Sequence, residues 1–270
     1  MGPMMGCVHR PPPICLELRV RSPIEPSPGR IRDAFFDDVG DLTLGLVTGQ
    51  RWRLRLGPIT LLAFGDPAFD AGSWKWPITG GWLARQPGGT LSYGWRDGDL
   101  VGVVDGYVPR LPRPVYLATQ GQVHRMVTRR FLLQLRGRTP PPGVPAGPVQ
   151  RIVSSGVDLM LCAGLTALLR PRRRLRWAAA LAAVYHLGCW SLTGRTVGAL
   201  VTGQRLVSVD GSPVAPWQAV LRLAALPLAV LACRAVHDEA AATEVIEAQW
   251  TVTAGCGASD VPGGRAPCRR

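Results

Sequence analysis

Asp158 stands a third of the way into RIVSSGVDLMLCAGLTALL (151–169), an apolar run of membrane-helix length. An ionised aspartate near the centre of such a helix costs ~2.5–3.5 kcal/mol on insertion scales, so it should face a bundle interior or an aqueous cavity and find partners. At ~3.6 residues per turn, Arg151, Ser154, Ser155, Asp158, Cys162 and Thr166 fall along one stripe of polar or small side chains. If the chain turns back through RPRRRLR (170–176), His186 reaches a similar depth, and Arg222 enters from the same side. One acid, one titratable base and one fixed cation could carry a proton or neutralise a bound ion. They could equally lock helices together, because buried polar groups often only satisfy one another.

Other chemistry is poorly represented. HDEAA (237–241) lacks the second histidine of a zinc-protease helix, and GRTVGALVTG (194–203) has neither a P-loop lysine nor dinucleotide spacing. No nucleophile elbow or Ser/His/Asp arrangement is visible, so no enzyme activity, metal or cofactor is expected. The seven cysteines form no C-x-x-C pair. The net charge of +13 comes almost wholly from arginine, with Lys75 the single lysine. Those arginines are scattered rather than gathered on one surface. GC-rich coding explains them more simply than a nucleic-acid partner, and no nucleic acid is expected.

Three apolar segments, roughly 152–169, 177–193 and 217–236, approach the ~20 residues needed to cross a bilayer. Trp177, Trp190 and Trp217 lie near their ends as aromatic anchors, and Pro227 interrupts the third. Before them, RGRTPPPGVPAGP (136–148) reads as a semi-rigid linker. Upstream of the linker the grammar changes to that of β-structure.

RWRLRLG (51–57) alternates apolar and basic residues, PITLLAF (58–64) is a second strand candidate, and 88–109 reads as a hairpin turning at Asp97-Gly98. VYLATQGQVHRMVTRRFLLQL (115–135) has helical spacing. Residues 31–135 therefore predict an α+β domain, an antiparallel sheet with a C-terminal helix. In layout alone this resembles the helix-grip lipid-binding folds, which wrap a sheet and a final helix around an apolar cavity. Trp74, Trp76, Trp82 and Trp95 could line such a cavity, although core packing accounts for them more simply. His124 has no ligand-spaced neighbour and reads as an ordinary surface or interface histidine. Residues 1–30 read as a disordered Pro-rich leader containing part of an extended start, and 247–270 as a flexible tail.

The second half carries a family resemblance in three ordered blocks: RIVSSGVDLM (151–160), GRTVGALVTGQRLVSVDGSPVAPWQAVLR (194–222) and HDEAAATEVI (237–246). These resemble, in turn, the R-x6-D opening, the G-x-T-x-G turn with its strand and D-G, and the closing H-D-x4-T of the RDD membrane-protein family. The resemblance spans about 149–246 and implies that Arg151, Asp158 and Asp238 are the eponymous residues. Gly194, Thr196, Gly198, Arg205, Gly211, Arg222, His237 and Thr243 fit the looser pattern. Two positions depart from it: Val197 stands where proline is common, and Ala199 where a basic residue is usual. The family has no settled activity to lend, transport-related roles being the usual suggestion.

The expected molecule is a multi-pass cell-membrane protein with an α-helical bundle of about three transmembrane segments and its N-terminal half on the cytoplasmic side. Its partner is the lipid bilayer. It either handles an ion or small solute through Arg151, Asp158, His186, Arg222 and Asp238, or it is a membrane-anchored binding module. In the second case the N-terminal domain holds an apolar ligand or a protein partner. Homo-oligomerisation is left open.

Overall fold

A computed structural model describes residues 13–43, 45–169, 174–232 and 235–248. The chain opens with strand β1 (Ile14–Arg21) and helix α1 (Pro28–Leu42). Pro28 suits a first helical turn, where its missing N–H has no intrahelical partner to lose. Ile31, Phe35, Phe36, Val39 and Leu42 then form one buried face. Strands β2 (Thr48–Gln50), β3 (Arg53–Leu56), β4 (Ile59–Phe64), β5 (Ala68–Asp70), β6 (Ser73–Gly80), β7 (Thr90–Arg96) and β8 (Asp99–Tyr107) follow. Helices α2 (Arg113–Ala118) and α3 (Gln120–Arg136) complete the first half.

The strands build one antiparallel sheet in the order β1-β8-β7-β6-β4-β3-β2, with β5 on β6. Asp97 and Gly98, both at positive φ, make the expected turn between β7 and β8. Helix α3 packs against β1, β8 and α1. Gly102 permits this approach, since a Cβ there would lie 2.8 Å from the Tyr93 ring and 3.0 Å from Thr128. The core between sheet and helices is aromatic: Phe35, Tyr93 and Phe131 meet at centroid distances of 4.8 to 5.2 Å.

Several expectations change here. Residues 14–21, expected within a disordered leader, form β1 and pair along β8. The stretch 28–42 was expected to start in that leader, yet it is a helix. Residues 1–12 and 249–270 lie outside the described residues, as does most of the tail. Arg51 and Trp52 sit at positive φ in the turn before β3 rather than in a strand. Trp76 is fully buried, whereas Trp82 is 58% exposed.

Beyond the linker come helices α4 (Pro148–Leu169), α5 (Arg174–Leu192) and α6 (Val197–Val201), then strand β9 (Gln204–Ser208). Helices α7 (Pro216–Ala232) and α8 (Val236–Ala241) lead to β10 (Thr243–Glu247), which pairs antiparallel with β9. Among the described residues one helix, Pro148–Leu168, is long and apolar enough to cross a membrane. Its Ile152, Leu159, Met160 and Leu168 are each at least 70% exposed, an outward face suited to lipid.

Helix α7 runs through Pro227 without ending. The reversal comes later, and α8 lies back along α7, so that Gln218 near the start of α7 donates from Nε2 to the carbonyls of Ala241 and Ala242 at 3.0 and 3.1 Å. Asp238 is thereby returned to the Arg151 end of the bundle. Of the three expected aromatic anchors, Trp177 is exposed, but Trp190 is buried and Trp217 packs against the N-terminal core.

Candidate functional site

The aspartate in the apolar helix is there to hold a turn. Asp158 is 4% exposed, and its Oδ1 accepts from the Gly198 N–H at 2.8 Å and from the Tyr185 hydroxyl at 2.7 Å. Tyr185 in turn accepts the Val197 N–H at 2.7 Å. Thr196 caps α6 by accepting the Ala199 N–H. Gly198 lies so close to α4 that a Cβ would sit 2.0 Å from the Ser154 carbonyl oxygen. These contacts give the G-x-T-x-G pattern its physical content. They also absorb its two departures: the turn is held by main-chain N–H groups, so Ala199 loses no bond, and a proline at 197 would have no N–H for Tyr185.

The second centre lies one end further on. Arg151 Nη1 donates to Asp238 Oδ2 at 3.0 Å, and its Nη2 donates to Glu244 Oε1 at 3.1 Å. Arg222 Nη1 donates to the other oxygen of Asp238 and to Thr243 Oγ1, while Glu244 also receives Arg138. Asp238 is fully buried between its two arginines.

The expected layer of Asp158, His186 and Arg222 does not form through mutual bonds. Asp158 pairs with Tyr185, Arg222 pairs with Asp238, and His186 Nδ1 contacts the Ala182 carbonyl at 2.8 Å within its own helix. Depth counting reached the right turn of α5, but Tyr185 points at Asp158 and its neighbour His186 does not. Trp190 stacks under Arg222 at 5.0 Å, a cation–π contact. Arg151, Asp158, His186 and Arg222 nonetheless line one cleft of about 550 Å³ between α4 and α7.

A separate cavity of about 140 Å³ lies in the N-terminal half, between the sheet and the helices α1 and α3. Its wall is apolar, including Phe35, Leu62, Ile78, Leu91 and Val104. Along α3, Gln120, His124 and Thr128 add a polar line at a spacing of four residues. His124 is therefore a cavity residue rather than a surface one, and burial pushes its imidazole down to about 4. Tyr107 donates its hydroxyl proton to the Leu83 carbonyl, so the Gln120 amide must offer Nε2 to that hydroxyl. Its Oε1 is left buried without a partner. The i, i+4, i+8 spacing of these residues was readable in the sequence; the curvature that turns it inward was not.

Among the described residues no group of three or more His, Cys, Asp or Glu is placed to hold a metal ion. No curated protein matches the chain, and no solved structure does. The model of the RDD family matches residues 175–250, the part that carries the α6 turn, β9, Arg222, Asp238 and β10. Residues 175–250 thus match the RDD family, and that likeness gives the protein a membrane location.

Proposed function

We propose that the protein is a membrane-anchored binding module whose N-terminal domain holds a small, neutral, largely apolar ligand. The observation that carries this reading is the cavity of about 140 Å³ with its buried unpartnered acceptor, Gln120 Oε1. Dry apolar cavities of ~150 Å³ accept molecules the size of benzene. No cation lines this one, and His124 is neutral, so a carboxylate would be buried without a counter-charge. A hydroxyl on an apolar skeleton would instead satisfy Gln120.

The C-terminal domain is the anchor. Helices α4 and α5 cross as an antiparallel pair, and α7 enters the bilayer with α8 returning, with the N-terminal domain on the cytoplasmic side. The mutually bonded Arg151, Asp238, Arg222 and Glu244 favour a structural role for the polar residues over solute transport. Titration of nanodisc-embedded protein with labelled hexanol and hexanoate, against empty nanodiscs, tests the ligand class. Saturable binding of the alcohol, absence of it for the acid, and loss on Val127→Phe are expected. Equal behaviour of both ligands, or indifference to the filled cavity, overturns the reading.

A further inference from the structure

The cleft between α4 and α7 is not used by the N-terminal ligand. Its volume of about 550 Å³ lies within the ~300–1,000 Å³ range of small-molecule sites. It is two-natured. Ile152 (71% exposed) and Leu226 line it from helices whose outer faces are apolar, together with Ala229, while Arg151, Arg222 and His237 gather at one end.

Among the described residues that line the cleft, Gln204, Arg222 and His237 each keep a buried side-chain nitrogen without a hydrogen-bond partner. Gln204 is 2% exposed and its Nε2 has no partner; Arg222 is 7% exposed and its Nε has none, although its Nη1 is engaged. Buried donors are paired in almost all native structures, so such orphans on residues that line one cavity point to an absent acceptor. The acceptor's charge follows from the surroundings. Among the described residues, three guanidiniums, those of Arg138, Arg151 and Arg222, share the two carboxylates of Asp238 and Glu244 at this end. Asp158 lines the cleft too, but it stands seven residues from Arg151, ~10 Å along α4, and its Oδ1 already accepts two hydrogen bonds.

We infer that this cleft binds an oxyanion head group, with Arg222 Nε and Gln204 Nε2 as its donors and the α4 and α7 side chains as the wall for an attached acyl chain. The shared chemistry is a phosphate-type oxyanion, supplied either by an anionic lipid or by a free phosphoester. Binding involves no bond making.

The test uses the full chain in detergent micelles, followed by native mass spectrometry while phosphatidylglycerol, phosphatidylcholine or glycerol 3-phosphate is added. Phosphatidylglycerol should be retained at least tenfold better than phosphatidylcholine. Gln204→Leu should reduce that retention about tenfold. This replacement removes an unpaired buried amide, so its fold should be at least as heat-resistant as the parent. Arg222→Lys, which keeps the charge but loses Nε, is the second variant and should weaken retention likewise. Competition by glycerol 3-phosphate would assign the site to the free phosphoester, and its absence to the lipid; either result supports the oxyanion. Equal retention of both lipids, or retention unchanged in both variants, overturns the inference. Neither variant touches the N-terminal cavity, so hexanol binding reports independently on the ligand reading.

Discussion

The two halves of this molecule hold themselves together by opposite means. The N-terminal domain buries Trp76, Tyr93, Tyr107, Phe131 and Leu132 almost completely and relies on packed rings and aliphatic groups. The C-terminal domain turns its large aliphatic side chains outward and buries Asp158, Gln218, Arg222 and Asp238 instead. In water, removing apolar area from solvent is the main driving force. In a bilayer the surroundings are themselves apolar, and helices associate through close packing and polar contacts. A charge cluster that would be a costly core in a soluble domain is thus the natural inner surface of a membrane one.

That contrast breaks most visibly at Asp238. Asp238→Leu leaves Arg151 and Arg222 facing one another across a buried site, and losing one partner of a buried pair costs about 3–5 kcal/mol. Hydrogen exchange should show α7, α8 and β10 opening while β6 to β8 keep their protection. Equal loosening of both halves would mean that the clusters are one cooperative unit.

Phe131→Ala is the mirror experiment. It empties space among Phe35 and Tyr93 at a cost of about 3–5 kcal/mol, part of it recoverable if the neighbouring cavity collapses, so the lower end is expected. The near-ultraviolet dichroism of the aromatic cluster should melt earlier, with protection in α4 and α5 unchanged.

Asp158→Leu should insert as well as the parent or better, yet strip an acceptor from the Gly198 N–H and Tyr185. Leaving a buried donor unpaired costs about 1–3 kcal/mol. Adding Tyr185→Phe should cost less than it does in the parent, because its hydroxyl has already lost the carboxylate and keeps only the Val197 N–H. Additive losses would show that Tyr185 works independently of Asp158.

The smallest effect is acid sensitivity. His124 has its imidazole held at about 4 in the folded protein, against about 6.5 when unfolded. The unfolded chain therefore takes up protons first. Stability is intact above pH 6.5 and falls as the pH drops from 6.5 towards 4. His124→Gln should flatten this dependence for the N-terminal melting signal alone, and a slope that survives in that signal would assign it to other groups.

What the sequence showed was set by the range of the forces involved. The hairpin at Asp97-Gly98 and the strands β4, β7 and β8 follow from local alternation and turn chemistry, and they are where expected. The RDD blocks identified Arg151, Asp158 and Asp238, but the pairing of Arg151 with Asp238 spans 87 residues and depends on α8 folding back. Helix α1 was missed although Ile31, Phe35, Val39 and Leu42 keep helical spacing; it begins inside the Pro-rich stretch read as disordered. Tyr185 was missed by one position. A single residue turns a side chain ~100° around a helix, so a count of depth cannot choose between neighbours.

The stretch between the halves has a consequence of its own. Pro145 bridges to Ile246, the Ala146 N–H donates to the Val245 carbonyl at 2.9 Å, and the Glu247 N–H donates to the Val144 carbonyl at 2.9 Å. The Pro-rich segment is thus stitched along β10 as an extra edge, while Arg129 of α3 reaches Asp210 beyond β9. A free tether would let its cargo wander through a hemisphere, with a local concentration set by tether length. A stitched one behaves as a mast. If the cavity holds the proposed ligand, its mouth stays at one height and one heading above the bilayer, and whatever leaves it would meet the membrane on the same bearing each time.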